Sequence, residues 1–184
     1  MIKVENVHVY NVVPAVYSAR NALNSWDKSD SDLATGTLGS ADLKLAMSLV
    51  TAGSDHSKFM RMIGISMDIT APIYWWKEYD TYKVGTVANS CSTMHKIHEK
   101  EFTLEDFSYD HLNEKSLYML NDTIKYLNAV REAFLDTKDK DYWWQMIQLL
   151  PSSYNQKRTV MLNYEVLANM YRSRKNHKLD EWHT

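Results

Sequence analysis

From about Asp110 to Leu135, the residues Leu112, Leu117, Leu120, Ile124, Leu127, Val130 and Phe134 recur at the spacing of one helix face. A helix of that length cannot cover its own apolar stripe, so the rest of the chain must supply a surface for it. The 184 residues include only five Gly and three Pro, so turns are few and helices long. Strand signals come earlier. Ile2, Val4, Val7 and Val9 predict a first strand, broken at Pro14, and Ile63, Ile65, Met67 and Ile69 alternate as a half-buried strand does. Ser18 to Trp26 is helix-like, and Lys28 to Ser40 is a polar, mobile loop. Ser40 is placed to cap a helix that Gly53 stops, and Pro72 opens a helix carrying Tyr74 to Asp80. Thr103 and Asp106 form a variant capping box, and Asp139 or Asp141 caps a short helix that Pro151 ends. A last long helix is predicted from about Thr159 to Arg174, and the closing HKLDEWHT starts another helix, either cut short or docking on a partner. No repeat or linker interrupts the chain, which reads as a single α+β domain over residues 1–184.

The charge balance excludes some partners. A formal net charge of −2 favours neither nucleic acid nor a membrane surface, and no apolar run reaches a membrane span. The opening MIKVENVHVY lacks a signal-peptide core, and the single cysteine, Cys91, permits no intrachain disulfide. These features predict a cytoplasmic protein. Twelve Tyr, six Trp and ten Met are a heavy load of large, polarisable side chains. They suit either a core of big residues, which composition favours, or a stacking surface for a flat ligand.

Familiar catalytic signatures are missing. The sequence has no glycine-rich phosphate loop, no HExxH and no paired cysteines, and His56, His95 and His98 do not make a metal site with Cys91. Two stretches draw interest instead. Ile69 to Lys96, ITAPIYWWKEYDTYKVGTVANSCSTMHK, sets adjacent tryptophans before a polar run with Lys83, Asn89, Ser92 and His95. Such groups either solvate a turn or hold a phosphate or a heterocycle edge. Gln148 to Lys178 carries Asn163 and Asn169 inside an apolar pattern, and Asn is costly to bury without partners. Arg172, Arg174 and Lys175 end it in cations, which also suit a helix C-terminus.

In their order these segments resemble the flavin-dependent thymidylate synthases, over about residues 15 to 182. AVYSARNALNSWD, Ala15 to Asp27, is similar to the family's early segment. DLKLAMSLVTAGSDHSKFMRMIGISMDITAPI, Asp42 to Ile73, is similar to its helix, glycine, histidine, strand and Ala-Pro-Ile. LPSSYNQKRTVMLNYEVLANMYRSR, Leu150 to Arg174, is similar to its Leu-Pro, two asparagines and arginine. The resemblance implies an α+β fold with a mixed central sheet and long helices, assembled as a homotetramer with sites where subunits meet. It implies methylation of dUMP, or a related pyrimidine nucleotide, with methylenetetrahydrofolate as carbon donor, FAD as cofactor and NADPH as reductant. It assigns His56, Lys83, Asn163 and Asn169 to the flavin, and Lys77, Asn89, Ser92 and Arg174 to the nucleotide. It requires no protein nucleophile, gives Cys91 no role, and leaves catalytic residues unassigned.

The chain departs from the family signature, Arg-His-Arg-x-x-Ser-x-Asn-Glu-x-Ser-x-Arg-Tyr. Thr81, Tyr82 and Lys83 stand at its opening triplet, Thr86 follows in register, and Asn89 and Ser92 come with a one-residue shift. Ser90 replaces the glutamate, Met94 and His95 the closing Arg-Tyr, and Ile147 the arginine before Leu-Pro. Lys83 retains a charge without a bidentate fork, while Thr81 and Met94 carry none. These losses leave two other expectations open. One is a non-catalytic nucleotide- or flavin-binding protein of the same fold, and the other a structural helical oligomer whose aromatics only pack.

Overall fold

The strand predicted around Ile65 forms because its inward residues are large and apolar while their neighbours are small or polar. In the computed structural model, which describes residues 2–182, Ile63, Ile65 and Ile69 are all buried. The elements run β1 (Lys3–Tyr10), α1 (Val12–Ser18), α2 (Ser40–Ala52), β2 (Gly64–Pro72), α3 (Ile73–Tyr79) and β3 (Val87–Ser90). They continue as α4 (Thr93–Lys96), α5 (Glu114–Thr137), α6 (Lys140–Leu149), β4 (Asn155–Asn163) and α7 (Tyr164–Arg174). Single 3₁₀ turns lie at Ala19–Leu23, Trp26–Lys28, Lys58–Met62, Leu104–Asp106 and Asp180–Trp182. The α+β class holds. The four strands make one sheet in the order β1-β2-β4-β3, and it is antiparallel rather than mixed. No helix among the described residues is long and apolar enough to cross a membrane.

The chain divides into two compact units. One comprises the first residues through Val4, Ile69–Thr81 and Asn89–Arg158, and the other Glu5–Asp68, Tyr82–Ala88 and the chain from Thr159. In the first, α5 turns Leu120, Ile124, Leu127 and Val130 inward against Met146 of α6. It starts at Glu114 rather than Asp110, because Asn113 is the cap and accepts from the Ser116 N–H. Asp139 caps α6, and the Thr103–Asp106 capping box is present. Trp75, Trp76 and Tyr79 of α3 are buried and pack on one another at 5.0–5.4 Å. The core explanation of the aromatic doublet therefore prevails.

In the second unit, Ala15, Val16, Ala46, Phe59, Met60 and Ile63 form the core. Three expectations fail there. Ser40 is the first residue of α2, and the capping carboxylate comes from Asp30, which accepts from the Ala41 and Asp42 N–H groups. The loop before α2 is fastened as well, since Ser29 and Ser31 both donate to Asp42. Asn163 closes β4 instead of lying within a helix. Val160 and Leu162 are buried while Thr159 and Met161 are exposed, which is the period of a strand. The first strand forms, ending at Tyr10, and Pro14 lies inside α1, where its missing N–H costs nothing. Its Val4, Val7 and Val9 remain about half exposed along the sheet edge.

Candidate functional site

The loop after α3 is drawn onto α7 by a glycine. Gly85 has φ +77°, and a Cβ there would stand 2.8 Å from Asn163 Nδ2. Only a residue without a side chain fits both constraints. Asn163 is thus covered by the loop, and its Oδ1 accepts from Val166 N–H as the cap of α7. Gly85→Ala is expected to cost about 1–3 kcal/mol. Gly36→Ala, at φ +72° with open space around it, is expected to cost less, since only backbone strain is added. Urea midpoints of the two variants check this.

The same loop meets the far end of α7. Arg174 Nε donates to the Tyr82 hydroxyl at 3.0 Å, and its guanidinium lies 5.5 Å from the Tyr82 ring and 5.2 Å from that of Trp182. The predicted residues Lys83, Asn163 and Arg174 therefore belong to one assembly of loop and helix. Lys83 and Asn169 are exposed. Asn163 and Asn169 do not share a face of α7, because six residues are not a whole number of turns. The apolar pattern that suggested paired asparagines was a strand followed by a helix.

His56 lies elsewhere in this unit. It lines a pocket of about 710 Å³ together with Asn21, Asp55, Lys58 and Arg61, and apolar Leu49, Phe59 and Met62. That volume is in the range of small-molecule sites, which pair apolar walls with a few polar groups. Arg61 is bound in a fork: Nε and Nη2 donate to the two Glu165 oxygens at 2.6 and 3.2 Å. The bond to Glu165 raises Arg61 above the usual arginine value, and Asp55 adds to the effect. Of these lining residues only His56 is among the predicted ones; Asn21, Lys58 and Arg61 are not. Lys58 and Arg61 stand with His56 in an exposed His-x-Lys-x-x-Arg run just before a buried strand, whereas nothing in the sequence marks Asn21.

No protein-family model matches the sequence, and no curated protein matches it. Solved structures do. Thymidylate synthase X (ThyX) from Helicobacter pylori, solved with FAD and dUMP, is 18% identical, with a TM-score of 0.78 over 98% of this chain and 88% of that one. This chain has the ThyX fold. A UMP/dUMP methylase, PolB from Streptomyces cacaoi, solved with 5-Br dUMP, is also similar, at 13% identity and a TM-score of 0.65 over 97% of this chain and 79% of that one.

On this ThyX fold, Lys77, Asn89 and Ser92 fall in the first compact unit, and the five other predicted residues fall in the second. Lys77 is exposed on α3 and Asn89 is exposed in β3. The Ser92 hydroxyl accepts from His95 N–H and caps α4. This unit also holds an arginine of β4 that is not among the predicted residues. Arg158 is 15% exposed, its Nε donates to Gln156 Oε1, its Nη1 to Asp80, and it lies 4.2 Å from the Trp76 ring. Burial first, and then Asp80, push the Tyr79 phenol up to about 12, so it stays protonated at neutral pH. Among the described residues no cluster of His, Cys, Asp and Glu forms a metal site.

Proposed function

We propose that this chain binds FAD and a pyrimidine nucleotide, and methylates dUMP or a close relative with methylenetetrahydrofolate and NADPH. The supporting observation is the fold shared over 98% of the chain with a ThyX solved with FAD and dUMP. The chain works in the cytoplasm as one domain and assembles as a homotetramer, with sites completed where subunits meet.

The residues present suit a flavin. The pocket at His56 offers an apolar wall for a flat ring and Asn21, Lys58 and Arg61 for polar edges and phosphates. When bound, the flavin supplies the hydride. His56, Lys83, Asn163 and Asn169 hold it. Lys77, Asn89, Ser92 and Arg174 orient the nucleotide, Arg174 by charge and the uncharged pair by hydrogen bonds. Lys83 gives a point charge where the family signature has a bidentate arginine.

Expression in a thymidine-requiring strain tests the reaction. Growth without thymidine is the expected result, and failure of a well-expressed protein to support growth would retire it. The absence of charge at Thr81, Met94 and Ile147 favours a second function in that event: a nucleotide-binding protein without catalysis. Such a protein would still melt higher with dUMP, because a ligand that binds only the native state stabilises it.

A further inference from the structure

The Arg61–Glu165 pair stands in an unusual place. Arg61 lines the pocket and is 59% exposed, yet both Glu165 oxygens hold it, and Glu165 is only 20% exposed. An isolated surface pair is worth little and holds its side chains loosely. This one has a fixed base. Glu165 lies in the first turn of α7, two residues after the Asn163 cap. The Tyr164 N–H donates to Ile63 O at 3.1 Å, tying the start of α7 to the residues beside Arg61. Both partners thus rise from backbone segments bonded to each other. The fork uses Nε and Nη2, and Nη1 makes no hydrogen bond to any described residue. Lys58 adds a second cation to the same pocket, and Asp55 opposes part of that charge.

We propose that Glu165 is a positioning residue that sets Arg61 at the pocket, and that Arg61 with Lys58 seats a phosphate group of the bound molecule. The proposal rests on the reading that this pocket takes a flavin or a nucleotide, and it adds which part of that molecule is recognised here. A planar guanidinium held on one edge presents its other edge to an anion with little further loss of freedom. The phosphate comes either from a flavin nucleotide or from a pyrimidine nucleotide.

Titration calorimetry on the full chain separates these outcomes, with FAD against riboflavin and dUMP against deoxyuridine as probes. The wild type is expected to prefer the phosphate-bearing member of at least one pair by about tenfold or more. Glu165→Gln is expected to lose much of that preference while keeping its affinity for the phosphate-free member. The double change Arg61→Glu with Glu165→Arg restores an ion pair but puts a carboxylate at the pocket. It is expected to melt like the wild type and to show no preference. If the double variant does not fold, Arg61→Gln reads the same ratio at an exposed position. A preference that survives the charge swap would make the pair merely structural and overturn the proposal, as would a wild type with no preference. Failure of both flavins with a dUMP preference that follows Arg61 would retire the flavin and keep the phosphate seat. Failure of all four probes would retire both.

Discussion

Replacing Asp42 with alanine is expected to cost about 3–5 kcal/mol, because it strands a buried guanidinium. Asp42 is 0% exposed and Arg20 6%. The Asp42 carboxylate accepts from Arg20, from Ser29 at 2.6 Å and from Ser31. It therefore joins α2, the turn after α1 and the polar loop through one group. Removing it leaves Arg20 desolvated with the Ser25 carbonyl as its remaining acceptor, at 3.4 Å. Replacing both members with apolar residues is expected to cost less than the single change, since no unpaired charge remains. Urea denaturation of the two single variants and the double variant checks this as a cycle. The pair also sets a pH dependence. Burial acts to raise the Asp42 carboxyl, but the bonds from Ser29, Ser31 and Arg20, with the charge of Arg20, outweigh it and hold it below the usual value. A depressed folded value contributes stability above the unfolded one, about 3.9 for Asp. That contribution is lost as the pH falls through the folded value. Asp42→Ala is thus expected to be less sensitive to acid below about pH 4 than the wild type.

Trp76→Ala is the second large effect, expected at about 3–5 kcal/mol. The ring is 0% exposed, its Nε1 donates to Gln156 O at 2.9 Å, and it packs on Trp75 and Tyr79. Its loss opens a cavity and takes the aromatic face away from Arg158. Trp76→Phe is expected to recover much of the loss, because most of the volume returns and only the hydrogen bond is absent. Trp144, 48% exposed, gives the contrast: alanine there is expected to change stability by about 0.5 kcal/mol or less. Denaturant midpoints for the three variants decide it.

Elements with a local cause were legible in the sequence. The alternation from Ile63 to Ile69, the stripe from Leu120 to Val130 and the Thr103–Asp106 box each reflect neighbours along the chain, and each is found. The segment from Thr159 to Asn163 misled because Leu, Met and Val suit a helix or a buried strand equally over so short a run. The sheet decided it, through partners far away in sequence. The Asp30 cap and the Arg20–Asp42 pair were hidden for a related reason, since nothing beside them in the chain marks their partners. For the site, the histidine of the pocket could be named from its segment. Arg61 stands in the same run, but its fixed position at the pocket depends on Glu165, which is 104 residues away. Asn163 was noticed for the right chemical reason, a polar amide that needs a partner, but one of those partners is the α7 backbone.

Flavin binding is read from the visible absorption spectrum of the purified protein after FAD is added and the excess removed on a column. Oxidised-flavin bands are expected to travel with the protein and to weaken when His56 is replaced by alanine. Protein that emerges without flavin, even from high added FAD, would contradict flavin binding and leave a ThyX fold without its redox chemistry.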